Sequence, residues 1–126
     1  MSAEPLALLL LSGSQERAHY AFVLAAGGAA LGRRVTLFAT NRGCLALCRD
    51  WAALDEAARD AVLRARGVAG LSELREAAVD LDVRLIACEA GLLAEGIARE
   101  DLLEGVEVAG VATFLEAAGC GQIVSL

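Results

Sequence analysis

Val83-Arg84-Leu85-Ile86-Ala87-Cys88-Glu89-Ala90-Gly91 is the stretch on which the fold turns. Val83 to Ala87 is an apolar run interrupted only by Arg84, without the polar alternation of a half-exposed strand. Such a run predicts a short strand buried on both faces, the kind that parallel sheets use. Cys88 closes it, and Glu89-Ala90-Gly91 leads the chain away. In open α/β sheets reactive groups collect just beyond the carboxyl ends of the strands. A thiol there meets solvent, loops and a helix start, surroundings that favour a reactive sulfur. The competing reading is a small apolar residue that caps a strand, as free cysteines often do.

Working outward, Leu6 to Leu11 is a second unalternating apolar run and predicts the first strand. The turn Ser12-Gly13-Ser14-Gln15 follows, and Ser12 with Gln15 has capping-box spacing. A helix is expected from about Glu16 to Leu31, stopped by Gly32. Arg34 to Ala39 reads as the second strand, and Thr40 is placed to cap a short helix over Gly43 to Asp50. Ala52 to Arg66 carries a helical period, punctuated by Gly67 and Gly70. Ser72 then caps an amphipathic helix with Leu71, Leu74, Ala78 and Leu81 inside. After Cys88, Gly91 to Glu104 reads as mostly helical and Val106 to Gly110 as a short extended piece. Thr113 and Glu116 cap or lie within the next helix, and Gln122 to Leu126 is a last short strand. Strands alternating with helices predict a single α/β domain over residues 1–126, a mostly parallel sheet with helices on both faces.

Composition narrows the function. The chain has 126 residues, 57% of them hydrophobic but only 4% aromatic, so the core must be built from Ala, Leu and Val. So apolar a small domain is expected to hide surface in a homo-oligomer. Net charge is −6 and all eleven basic residues are Arg. Without Lys there is no Schiff-base lysine and no phosphate-binding P-loop. Arginines scattered on an acidic chain, with few aromatics to stack bases, argue against nucleic acid. His19 is the one histidine, which excludes a multi-histidine metal site, and neither metal nor cofactor is expected. The Leu6–Leu11 run is too short to span a membrane, and Glu4 and Pro5 before it do not resemble the basic start of a secretory signal. A cytoplasmic protein is expected, its four cysteines kept as thiols.

Gly27, Gly28 and Gly32 fall inside or at the end of the first helix, not between a strand and a helix. They read as close helix packing and a stop, not a dinucleotide fingerprint. Cys44 and Cys48, four apart, share a helical face. Their spacing is not the two-residue gap of a redox pair, and zinc usually takes four ligands. Cys48 and Cys120 read as structural thiols, whereas Cys44 sits near enough to the second strand's carboxyl end to reach the Cys88 rim. His19, early in the first helix, belongs by topology to that rim and is either a steering group for an anionic substrate or a surface residue. Gly91 leaves room for main-chain N–H groups to face an anionic sulfur.

The order of these motifs resembles the DsrE/DsrF-like family, whose members often carry the label peroxiredoxin-like. The similar stretches are Leu10-Leu11-Ser12-Gly13 with Arg17-Ala18-His19-Tyr20-Ala21, then Val35-Thr36-Leu37-Phe38-Ala39-Thr40. Gly67-Val68-Ala69-Gly70-Leu71-Ser72-Glu73-Leu74 and Leu85-Ile86-Ala87-Cys88 follow. The most specific stretch is Leu102-Leu103-Glu104-Gly105-Val106-Glu107-Val108-Ala109-Gly110-Val111-Ala112-Thr113-Phe114-Leu115. The resemblance implies a flavodoxin-like subunit that forms homo-oligomers and handles reduced sulfur. It implies that Cys88 carries a persulfide or thiosulfonate passed between sulfur carriers of the TusA or rhodanese type. In the carrier reading His19, Thr40 and Cys44 are expected to line the rim, with the backbone near Gly91 steadying the anion. Where many relatives have a Met-Ser-Met-like stretch after this cysteine, the chain has Glu89-Ala90-Gly91-Leu92-Leu93. Two other readings stand beside the carrier. One is a non-catalytic oligomeric scaffold in which Cys88 only packs. The other is a thiol peroxidase, for which Cys44 is the available resolving thiol.

Overall fold

A computed structural model describes residues 4–126, and β1 (Leu6–Leu10), β2 (Val35–Ala39), β3 (Arg84–Cys88), β4 (Glu107–Ala109) and β5 (Gln122–Ser125) form one sheet. Its order is β4-β3-β2-β1-β5 and every pairing is parallel. The helices are α1 (Gln15–Ala30), α2 (Arg59–Ala65), α3 (Leu71–Asp80), α4 (Glu89–Glu95) and α5 (Val111–Ala118). The α/β domain with a parallel sheet and helices on both faces is as expected from sequence, but the layers are unequal. From β1 through β4 each connection steps the same way across the sheet, so right-handed crossovers put their helices on one face. The return from β4 to β5 steps the other way and leaves α5 by itself on the opposite face.

Two cores follow from the pleat. Leu6, Leu8 and Leu10 of β1, Leu37 and Ala39 of β2, and Leu85 and Ala87 of β3 pack under α1, α3 and α4 with Phe22, Leu71 and Leu92. The alternate residues Ala7, Phe38, Ile86 and Cys88 pack with Phe114 and Ala118 of α5. Phe38 and Phe114 stack with ring centroids 5.0 Å apart, which anchors α5 on the sheet. A buried aromatic of this kind contributes about 2 kcal/mol by burial alone.

Several elements differ from the sequence reading, each for a visible reason. The N-cap of α1 is Ser14, whose Oγ accepts from the Arg17 N–H at 3.1 Å, not Ser12. Ser12 instead accepts from the Ser14 N–H at 3.1 Å, and Gln15 reaches away to Asp60. The helix expected over Ala52 to Arg66 begins only at Arg59. Asp55 uses its N–H on Gly13 and its carbonyl on Gln15, forming a bridge to the loop after β1, so neither serves a helix there. Asn41–Leu47 is a 3-10 helix, and Thr40 before it makes no side-chain capping bond. Arg75 clamps the end of that segment by donating to the carbonyls of Ala46, Cys48 and Arg49. The helix after Cys88 stops at Gly96, whose φ of 66° is left-handed. Leu81, expected inside, is exposed.

Candidate functional site

The rim formed by the carboxyl ends of β1, β2 and β3 brings together four of the residues singled out from sequence, Cys88, Thr40, Gly91 and Cys44. Cys88 is the last residue of β3 and the N-cap of α4, with extended backbone. Its side chain alternates with Ala87 and therefore lies in the α5-side core, and the residue is 9% exposed. In the register of β3 with β4 it stands opposite Ala109, the last residue before the turn into α5. Thr40 and Gly91 meet directly. A Cβ on Gly91 would lie 2.9 Å from Thr40 Oγ1 and 2.7 Å from the Asn41 nitrogen, so only glycine lets α4 seat against the end of β2.

Cys44 also reaches this rim, on the other side of the sheet. It is wholly buried in the α1-side core and its thiol donates to the Ala39 carbonyl at 3.4 Å. Burial pushes its thiol up to about 12, while the Cys88 backbone N–H facing the sulfur acts in the opposite direction. Cys48 is raised by burial too, and its thiol donates to the Cys44 carbonyl at 3.6 Å. Because Cys44 and Cys88 point into cores on opposite faces, a bond between them requires one side chain to leave its core. Cys120 is exposed on the turn before β5, at the opposite end of the strands.

The sign of the Cys44 shift gives a checkable result. An unfolded thiol ionises near its ordinary 9.0, whereas the folded one stays protonated to about 12. Stability owed to this group is therefore complete below about pH 9 and is lost as pH climbs toward 12. Urea midpoints of the wild type are expected to fall faster across that window than those of Cys44→Ala. Parallel curves for the two proteins would overturn the assignment.

His19 is not part of the Cys88 environment. It is buried in the helical layer between α1 and the loop before α3, and its Nε2–H donates to the Ala69 carbonyl at 2.8 Å. The sheet lies between it and the Cys88 side chain. Glu89, adjacent to the thiol in sequence, turns outward to Arg99 with a 2.7 Å ion pair. The sequence reading did not find the residues that cover Cys88, Ala109 and Phe114. No local signal marks them, because their nearness depends on strand order and on the return crossover.

An all-parallel sheet with a cysteine closing one inner strand at the carboxyl rim defines a small α/β protein of the thiol-bearing kind. The chain belongs to the DsrE/DsrF/DrsH-like family, whose model matches residues 51–124. It is 27% identical, over an alignment of 155 positions covering 98% of each chain, to the sulfur carrier protein DsrE2 of Allochromatium vinosum. Among solved structures it is similar to the ychN protein from E. coli, with a TM-score of 0.69 and 13% identity over 98% of this chain and 100% of that one. A protein of unknown function from Methanobacterium thermoautotrophicum gives a TM-score of 0.60 and 20% identity, again over 98% and 100%. These two likenesses bear on the fold alone. Among the described residues no helix is long and apolar enough to cross a membrane.

Proposed function

We propose that this chain is a sulfur carrier in which Cys88 holds the transferred sulfur as a persulfide. The observation that carries the reading is the position of Cys88, closing β3 at the rim on the face that one short helix covers. The similarity to a protein named as a sulfur carrier supports it. In the transfer, the Cys88 thiolate attacks the outer sulfur of a donor persulfide. The new Cys88 S–S bond forms as the donor's S–S bond breaks, and the donor departs as a thiolate that takes up a proton. The sulfur oxidation states balance, so no separate oxidant is needed. An acceptor thiolate reverses the step, and TusA-like or rhodanese-like carriers are the partners of matching chemistry. Such exchange belongs in the reducing cytoplasm, where the four free cysteines persist as thiols.

Treating the reduced chain with glutathione persulfide and weighing it, whole and as peptides, tests this. One added sulfur atom on the peptide that carries Cys88 is expected. No added mass there removes the carrier role. The burial of Cys88 favours a second reading, an oligomeric scaffold in which the thiol packs. Alkylation at neutral pH separates the two: a carrier's Cys88 reacts in the native state, a packing residue's only after unfolding.

The same face bears on assembly. Val111 and Leu115 of α5 are exposed, as is Ile123, which stands opposite Ala7 on the α5 side of the sheet. The chain is proposed to cover these side chains in a homo-oligomer. Sedimentation velocity is expected to show a species heavier than one chain, and a stable monomer would refute the assembly.

A further inference from the structure

We propose that the groove along α3 is a docking site for a polypeptide segment that carries basic side chains beside apolar ones, with Asp60 as its anchor. The site lies in the helical layer and is independent of Cys88. Asp60 is only 4% exposed. Its Oδ1 accepts from Gln15 Nε2 at 2.9 Å and from the Leu71 N–H at 2.8 Å, so it caps the start of α3. Both donors are neutral. Among the described residues Asp60 has no ion pair, and its Oδ2 has no hydrogen-bond partner. Buried carboxylates are ordinarily matched by a cation, and among the described residues no arginine pairs with this one.

Asp60 borders a depression of about 300 Å³, walled also by Trp51, Ala57, Arg64, Ser72 and Glu73. Gly70 lets Asp60 and Arg64 pack against the start of α3, since a Cβ there would lie 2.6 Å from Asp60 Oδ2 and 2.7 Å from Arg64 Cδ. The Gly70 φ of −82° suits any residue, so its backbone does not require glycine and room does. The nearby Arg64 guanidinium turns away to Glu73 at 3.6 Å. Trp51 is fixed by its indole N–H on Ser72 Oγ at 2.9 Å. A rigid indole next to a carboxylate with a free oxygen matches a guanidinium or ammonium group. The metal alternative lacks donors: no group of three His, Cys, Asp or Glu able to hold a metal ion occurs among the described residues.

A second depression of about 300 Å³ shares Ser72 and continues along α3 past Glu76, Val79, Asp80 and Leu103. Glu76 and Asp80 are exposed and have no ion pair among the described residues. Arg75 lines this depression as well and spends its Nη1 and Nη2 donors on main-chain carbonyls. The groove therefore has the buried Asp60 at one end and the exposed Glu76 and Asp80 at the other, with Trp51, Val79 and Leu103 as apolar lining. A free amine would occupy only the first part, whereas a segment with cations spaced by an apolar side chain complements the whole.

The single tryptophan of the chain is Trp51, so its emission reports on this site directly. The wild-type chain is titrated with acetyl-Arg-Leu-Arg-Leu-Arg-amide, with the same peptide bearing citrulline for arginine, and with agmatine. A saturable change is expected with the arginine peptide, at least about tenfold weaker with citrulline and in Asp60→Asn, as for removal of one partner of a buried charge pair. Cys88→Ser is expected to bind like the wild type. Equal binding of the citrulline peptide, equal affinity for agmatine, or no saturable change would each overturn the proposal. Asp60→Asn keeps an acceptor for Leu71, and its fold is checked by circular dichroism. Should it unfold, the exposed double variant Glu76→Gln with Asp80→Asn decides instead: weaker peptide binding supports the groove, unchanged binding refutes it.

Discussion

Replacing Cys88 by serine is expected to abolish sulfur loading, with no residual mass gain on that peptide after exposure to a persulfide donor. An oxygen at this position cannot stand in for the sulfur, because the neutral hydroxyl is a poor nucleophile and forms no stable adduct with sulfane sulfur. The three other cysteines do not replace it in the proposed chemistry. Cys44 and Cys48 are buried and their thiols are raised by burial, so each is held in its unreactive form. Cys120 is exposed but lies at the far end of the strands, and Cys120→Ser is expected to leave loading at Cys88 intact. Serine also places a hydroxyl among Ile86, Phe38 and Phe114, which costs about 1–3 kcal/mol if unpaired. Cys88→Ala avoids that penalty and must give the same loss of loading. Full loading of either variant elsewhere on the chain would sink the assignment.

Gly43→Ala is expected to be strongly damaging, lowering stability by about 3 kcal/mol or more. A Cβ at Gly43 would stand 2.2 Å from the Leu10 carbonyl oxygen and 2.8 Å from its carbon. Neither atom can yield easily. Leu10 ends the inner strand β1, and its carbonyl is held by the Thr40 N–H at 3.0 Å. Gly43 itself donates to the carbonyls of Leu11 and Thr40 at 3.1 and 3.0 Å, so the loop after β2 is fastened to the end of β1 at this residue. Gly27→Ala is the matched control. It sits exposed near the end of α1 with nothing within 4 Å of its Cβ position, and should gain about 0.5–1 kcal/mol from helix propensity. Urea unfolding of both variants against wild type reads the difference. A Gly43→Ala protein as stable as the wild type would show that the loop is not fastened there.

The rim was legible in part. The run ending at Cys88 marks the carboxyl end of an inner strand because Leu85 to Cys88 is apolar without alternation, as in a strand buried on both faces. Thr40, Cys44 and Gly91 followed from the same reasoning, and the fold places all three beside one another around the ends of β2 and β3. His19 did not follow. A helix start at the right rim says nothing about which way a side chain one turn later points, and the Ala69 carbonyl that holds it comes from a loop fifty residues away. Asp60 and Gln15, fully or nearly buried polar residues joined across 45 residues, left no trace in the local pattern.

The amino-acid sequence by itself determined the order of strands and helices along the chain, their parallel arrangement and the cysteine at the strand end, because apolar periodicity and glycine stops act over a few residues. Only the tertiary structure decided the strand order, the lone helix on one face and the face to which Cys88 turns. A strand buried on both sides carries no polar alternation to tell its faces apart, so the choice between them rests on strand pairing and on the direction of each crossover. For Cys88 that choice sets everything that follows: its thiol lies under α5 beside Ala109, while Cys44, close by in the fold, faces the opposite core.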